Sequence, residues 1–131
     1  MQYFTIQELT ASSTARTRGI DNTPNAQVQA KLTKLIDAVL DPVRRIWGRP
    51  ITVNSGYRCP ALNVAVRGAA NSQHLTGEAA DITTGTREGN RELFEKISRS
   101  GVPFDQLIDE SGYSWIHISY SGRNRRQVLH L

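Results

Sequence analysis

The chain has 131 residues, 38% of them hydrophobic and 21% charged, with a formal net charge of +4. That length suits one domain able to bury roughly two-thirds of its unfolded surface, and the apolar fraction excludes a disordered chain. The single cysteine, Cys59, excludes a disulfide scaffold and a cysteine-rich zinc finger, and no apolar run approaches the length of a transmembrane helix.

Met1-Gln2-Tyr3-Phe4-Thr5 lacks the basic and apolar regions of a secretory signal, so synthesis in a cytoplasm is expected, with action outside dependent on another route of export. Thr5 to Leu9 reads as a helical turn capped by Thr5, with Glu8 three residues on. Ala11 to Asn25 is rich in Ser, Thr, Arg and Asn and reads as a loop, and Pro24 suits the helix start that follows. Val28, Leu32, Leu35, Ile36, Val39, Leu40 and Val43 recur at three- and four-residue steps, which predicts an amphipathic helix from Asn25 to Trp47 with Pro42 as the place for a bend. Gly48-Arg49-Pro50 ends that helix, and Ile51 to Val53 is a short strand. Cys59 to Val66 reads as a helical turn and Ala79 to Ile82 as a buried strand. Thr86 to Ser100 is a second helix, with Leu93, Phe94 and Ile97 inward and Gly101 as its stop. Gln106 to Glu110 and Ser114 to Ser119 are two strands joined through Ser111-Gly112, and Gln127 to Leu131 closes the sheet. No regular βαβ rhythm is present. The expected fold is therefore α+β, a small, mainly antiparallel sheet packed against helices, in a single domain covering 1–131.

The basic balance favours anionic partners such as nucleic acid, lipid headgroups or cell-wall polymers. Arg123, Arg125 and Arg126 cluster near the C-terminus, where a solvated edge is the ordinary reading. The chain has no recognised nucleic-acid motif and no clear basic helix, so no nucleic-acid partner and no stable membrane insertion are expected.

The histidines are His74, His117 and His130. A catalytic zinc takes three protein ligands and leaves one position open, and two imidazoles with one carboxylate make such a set. His74 and Asp81 lie seven residues apart with Gly77 between them, so a loop carrying His74 can turn into a strand carrying Asp81. Asp81 sits inside the apolar run Ala79-Ala80-Asp81-Ile82, where a buried carboxylate needs a partner. His117 is flanked by Ile116 and Ile118 and so faces away from both. Against this stand the ordinary readings of a histidine as a core residue and of an aspartate or arginine as a surface residue.

Ser55-Gly56-Tyr57-Arg58-Cys59-Pro60, then Ser72-Gln73-His74 through Asp81, then Trp115-Ile116-His117 resemble the M15 family of zinc peptidases, in the order that family has them. The family comprises D-alanyl-D-alanine carboxypeptidases and related peptidoglycan peptidases, phage endolysins among them. The likeness is to its short, single-domain type. The resemblance implies His74, Asp81 and His117 as ligands of one Zn²⁺. It implies Arg58 as the residue that stabilises the oxyanion, and Ser72 as a hydrogen-bonding residue beside the site. Tyr57 and Trp115 are candidates for lining the substrate groove, with core packing as the alternative.

Many members of the wider family place an acid three residues before the last histidine, where this chain has Ser114. The candidate bases are then Glu110, Asp109 and Asp105. If Ser111 to Ser114 form the hairpin loop, Glu110 faces Trp115, Ile108 faces His117, and Glu110 shares the His117 side of the sheet. A register shift of one residue would bring Asp109 there instead. The resemblance also implies a Glu in the stretch after Asp-Gln-Leu-Ile. Cys59 beside Arg58 could mimic a nucleophile near His74, but a cysteine peptidase leaves Asp81 unexplained, and His130 has no place in this constellation. The expectation is a monomeric zinc D,D-carboxypeptidase or endopeptidase. It would cut a peptidoglycan stem peptide at the bacterial wall after phage-mediated release or from a phage particle. The alternative is a non-catalytic zinc-containing wall-binding domain of the same fold.

Overall fold

A computed structural model describes residues 1–131. In chain order the elements are α1 (Ile6–Thr10), α2 (Ser13–Arg18), α3 (Ala26–Leu35), a π-helical segment (Ile36–Leu40), α4 (Asp41–Trp47), β1 (Thr52–Ser55), α5 (Pro60–Ala65), a 3-10 turn (Gln73–Thr76), β2 (Ala79–Thr83), α6 (Arg87–Arg99), β3 (Gln106–Glu110), β4 (Trp115–Ser119) and β5 (Gln127–His130). The fold is α+β, and no helix is long and apolar enough to cross a membrane.

Local chemistry accounts for most of these boundaries. Thr5 Oγ1 accepts the Glu8 N–H at 3.2 Å and starts α1. The loop expected from Ala11 to Asn25 is corrected in its first half. Ser12 caps α2 by accepting the Ala15 N–H, and Gly19 ends it in the left-handed region at φ 66°. Sequence periodicity misses α2 because Ala15 is its one buried residue. Asn25 caps α3 through the Val28 N–H at 2.9 Å. Instead of a simple bend at Pro42, the backbone widens into the π-helical segment just ahead of it. Proline has no N–H for the carbonyl four residues back, and the wider turn takes up that mismatch. Asp41 is buried, and its carboxylate accepts the Gln2 and Tyr3 N–H groups at 2.6 and 3.0 Å, which pins the N-terminal segment to α4.

The sheet has the order β1-β2-β4-β3-β5. Its first four strands pair antiparallel, and β5 closes the edge parallel to β3. Side chains alternate between its two faces. One face presents Ala80, Ile82, Leu107, Ile116 and Ile118 to a core completed by Leu32, Leu35, Ile36, Val39, Leu40 and Val43 from the long helical run and by Leu93, Phe94 and Ile97 from α6. Each fully buried aliphatic side chain there is worth about 1.5–3 kcal/mol, so the helices fix which face is inward. The opposite face is left to Asp81, His117, Ile108 and Glu110.

Register follows from the β3–β4 loop. Ile108 pairs with His117 and Glu110 with Trp115, the pairing expected for a Ser111–Ser114 loop. Ser111, Gly112 and Tyr113 adopt φ of 51°, 64° and 64°. Asn90 from α6 holds that left-handed run by donating to the Tyr113 and Ser114 carbonyls at 2.9 and 3.3 Å, while Asp109 accepts the Tyr113 N–H at 2.6 Å. A slip of one residue would break all three contacts and turn the inward apolar set outward.

Candidate active site

Asp81 on β2 and His117 on β4 are direct cross-strand partners, so their side chains stand together on the open face of the sheet. His74 arrives from the 3-10 turn, which Ser72 starts by accepting the His74 N–H at 3.1 Å and Gly77 ends at φ 79°. The nitrogens and carboxylate oxygen that His74, Asp81 and His117 can offer lie within 4.8 Å of one another. His74 Nε2 is 3.3 Å and His117 Nδ1 3.1 Å from the same Asp81 Oδ1. Ligands about 2.1 Å from a tetrahedral zinc stand roughly 3.4 Å apart, so these two separations suit such an ion.

The donor set asks for a cation. His74 is 2% exposed, and its Nδ1 lies 2.6 Å from the Gly56 carbonyl oxygen, which can only accept. Nδ1 therefore carries the hydrogen, and in the neutral ring Nε2 turns a lone pair toward the Asp81 carboxylate. Two acceptors facing each other at that distance repel unless a proton or a metal ion lies between them. A backbone carbonyl fixing the outer nitrogen of a ligating histidine is the usual support of a metal site. Burial alone would push the Asp81 carboxyl up, and the imidazoles of His117 and His74 hold it well below the usual carboxylate range only when they are protonated toward it, that is, when a positive charge occupies the place between the three side chains.

The Ser55–Cys59 segment does more than carry Arg58. Besides the Gly56 carbonyl, it gives the Arg58 N–H to the His74 carbonyl at 2.9 Å. The segment is itself clamped by α1, since Leu9 O accepts the Tyr57 N–H at 2.7 Å, and a Cβ on Gly56 would sit 2.2 Å from that oxygen. Asn22 adds a second clamp, donating to the Thr10 and Tyr57 carbonyls and accepting the Cys59 N–H at 2.8 Å. The half-buried Arg58 guanidinium donates through Nη1 to Asn63 Oδ1 at 3.3 Å, and its Nε–H is buried without a partner. Asn63 is buried and fixed in turn to the Ala69 carbonyl at 3.0 Å. Burial lowers the Arg58 guanidinium from its ordinary value, while the charges of Asp81 and Glu110 act the other way.

A groove of about 750 Å³ runs over this face and takes in His74, Asp81, His117, Arg58, Ser72, Trp115 and Glu110 in its walls. Glu110 Oε2 accepts the Trp115 Nε1–H at 3.0 Å. Asp109 lies on the other face of the sheet, buried, bonded to Tyr113 and 3.3 Å from His130 Nδ1. Asp105 is fully buried and engaged by Arg125 Nε and Nη2 at 2.8 and 3.1 Å and by Gln73 Nε2 at 3.0 Å. Of the three acids considered from sequence, the structure brings Glu110 alone to the groove. Tyr57 is 8% exposed and packs in the core while bordering the groove, and Cys59 is half-buried beside Arg58. Sequence reasoning missed Asn22, Asn63 and the acceptor role of Gly56, because an asparagine that holds a loop carries no spacing signal. Only the glycine of Ser55-Gly56-Tyr57-Arg58 lay inside a motif.

A family profile described as Peptidase M15 matches residues 2–119. The zinc D-Ala-D-Ala carboxypeptidase of Streptomyces albus G is 35% identical over 85 residues, which make up 64% of this chain and 32% of that protein. The matched region thus spans about a third of the relative's length.

Proposed function

The chain belongs to the peptidase M15 family, and from that premise we propose that it is a zinc peptidase that hydrolyses a peptide bond in a peptidoglycan stem peptide. The observation that supports this best is the convergence of His74 Nε2 and His117 Nδ1 on Asp81 Oδ1, with the Gly56 carbonyl fixing the tautomer of His74. On this reading His74, Asp81 and His117 hold one Zn²⁺. When bound, it supplies a Lewis acid for the scissile carbonyl and lowers the pKa of water to about 7.

The chain's own residues do the rest. Glu110 lines the groove, and its Oε2 accepts the Trp115 indole N–H, which leaves Oε1 for the reaction. Glu110 Oε1 takes the proton of the attacking water and returns it to the departing amine. Arg58 holds a positive charge where the carbonyl oxygen becomes negative, and Asn63 keeps the guanidinium from swinging away. Ser72, Tyr57 and Trp115 border the substrate. The relative's name favours a D-Ala-containing bond over a cross-bridge. The wall is the proposed place of action, in lysis or remodelling, and carriage by a phage rests on the likeness to short endolysins alone.

The test is metal content together with product. Purified protein should hold one zinc per chain and release D-alanine or new amino groups from peptidoglycan. Dipicolinate should stop the reaction, and added zinc should restore it. Near-stoichiometric zinc in a His74→Ala, His117→Ala double variant would sink the ligand assignment. Zinc retention without cleavage of several wall types would return the non-catalytic binding domain.

A further inference from the structure

The loop that follows Glu110 is held in an unfavourable shape. Ser111, Gly112 and Tyr113 lie in succession at φ 51°, 64° and 64°, a region that residues with a side chain rarely adopt. Left to itself such a loop relaxes, and the end of β3 moves with it. The Ser114 N–H donates to the Glu110 carbonyl at 3.0 Å, and Ser114 Oγ donates to the Ser111 carbonyl at 2.7 Å. These bonds close the loop on itself, but neither reaches the strand that carries Asp81.

Asn90 makes that connection. It is 1% exposed, in the first turns of α6, and its amide is used in both directions. Nδ2 donates to the Tyr113 and Ser114 carbonyls at 2.9 and 3.3 Å and to Thr83 Oγ1 at 3.1 Å. Oδ1 accepts the Thr84 N–H at 2.7 Å and the Thr84 hydroxyl at 2.9 Å. The two carbonyls can only accept and the Thr84 N–H can only donate, so the amide has one orientation. The start of α6 sits tightly on this end of β2, since a Cβ on Gly89 would lie 2.3 Å from Thr84 Oγ1. Thr83 is the last residue of β2, two beyond Asp81. The Ser114 carbonyl shares a rigid peptide plane with the nitrogen of Trp115, whose indole donates to Glu110 Oε2 at 3.0 Å. One buried side chain thus spans from the strand of Asp81 to the peptide from which Trp115 reaches Glu110.

We infer that Asn90 is a positioning residue for the reaction. Through the Tyr113 and Ser114 carbonyls it sets where the Glu110 carboxylate stands relative to Asp81 and His117. It acts through the loop and Trp115. This rests on the peptidase reading above, with Glu110 as the base.

Asn90→Asp is the isosteric test. It keeps an acceptor for Thr84 and turns an oxygen toward the two carbonyls. With the zinc-loaded full chain and a soluble peptidoglycan stem peptide, kcat should fall at least about fivefold, with KM and zinc content within about twofold of wild type. Asn90→Ala buries no charge and should act in the same direction, which keeps the test open if the aspartate variant does not fold. Ile97→Val loosens the core side of α6 away from the loop; it should lower the urea midpoint and leave kcat within about twofold. A smaller fall in kcat in the folded Asn90 variants overturns the inference. So does a loss carried by KM or by zinc content, because Asn90 then serves the fold as a whole.

A second readout does not need turnover. The indole N–H proton resonance of Trp115, assigned with Trp115→Phe, reports its bond to Glu110, and Glu110→Ala marks the bond-free position. Both Asn90 variants should move the resonance at least roughly halfway to that position, and Ile97→Val should leave it in place. A resonance that stays in place in the Asn90 variants overturns the inference. If the zinc-loaded wild type cuts no stem peptide, the peptidase reading has failed, and the resonance alone decides whether Asn90 positions Glu110.

Discussion

Two neighbouring acids on β3 should respond to the same mild substitution in opposite ways. Glu110→Gln keeps an oxygen for the Trp115 indole N–H, now at 3.0 Å, in a half-buried position. Its cost in stability should stay below about 1 kcal/mol. It removes the proton acceptor that the groove offers, and a positioned base contributes about 10²–10⁴ in rate, or roughly 3–5 kcal/mol of barrier. Asp109→Asn is the reverse case. Asp109 is 7% exposed, and its charge supports the 2.6 Å bond from the Tyr113 N–H that helps fix the hairpin loop. Neutralising it should cost about 1–3 kcal/mol of stability. Its side chain faces away from the groove, so turnover per folded molecule should fall less than about threefold. The assay combines steady-state peptide cleavage, zinc content by elemental analysis and urea unfolding for both variants. A dead Asp109→Asn with full zinc and an active Glu110→Gln would refute the β3–β4 register as the source of the base. Activity in both would place the base off β3 altogether.

Gly56→Ala should destabilise by more than about 2 kcal/mol and lower zinc retention, because its Cβ would meet the backbone oxygen of Leu9 at 2.2 Å and the displaced carbonyl would release His74; unfolding midpoints and metal content check both. Gly68→Ala would bring a Cβ 2.0 Å from Asn63 Oδ1 and 2.6 Å from Arg58 Nη1, so zinc content should hold while kcat falls about tenfold or more, which single-variant kinetics will read. Arg125 and Gln73 hold the Asp105 carboxyl well below its ordinary value, so its contribution is complete above the unfolded-state pKa, about 3.9, and fades as pH falls below that. Urea midpoints between pH 6 and pH 2.5 should therefore drop more steeply in wild type than in Asp105→Asn, and parallel curves would remove Asp105 from the acid sensitivity.

The sequence by itself determined the elements whose cause is local or periodic. The three- and four-residue spacing from Val28 to Val43 can bury one stripe only as a helix. The alternation Trp115-Ile116-His117-Ile118-Ser119 sends His117 to the face opposite two isoleucines, and Gly77 lets a histidine-bearing turn run into a strand that carries Asp81. The tertiary structure decided what depends on distant partners. Helix α2 forms through a serine cap with almost no apolar signal, and the mismatch at Pro42 is taken up by a π-helical segment just ahead of it rather than by a simple bend. The choice among Asp105, Asp109 and Glu110 was open in the sequence, since strand alternation gives sides but not which side is inward. Which of them stands on the groove side was decided when the helices covered the face with Leu107 and Ile116, and when Asn90, from a helix far along the chain, locked the Ser111–Ser114 loop. Arg58 likewise has a motif in the sequence, but its direction comes from Asn63 and its anchorage from Leu9 and Asn22. Hydrogen bonds between residues far apart in the chain leave no periodicity, so only the folded chain shows them.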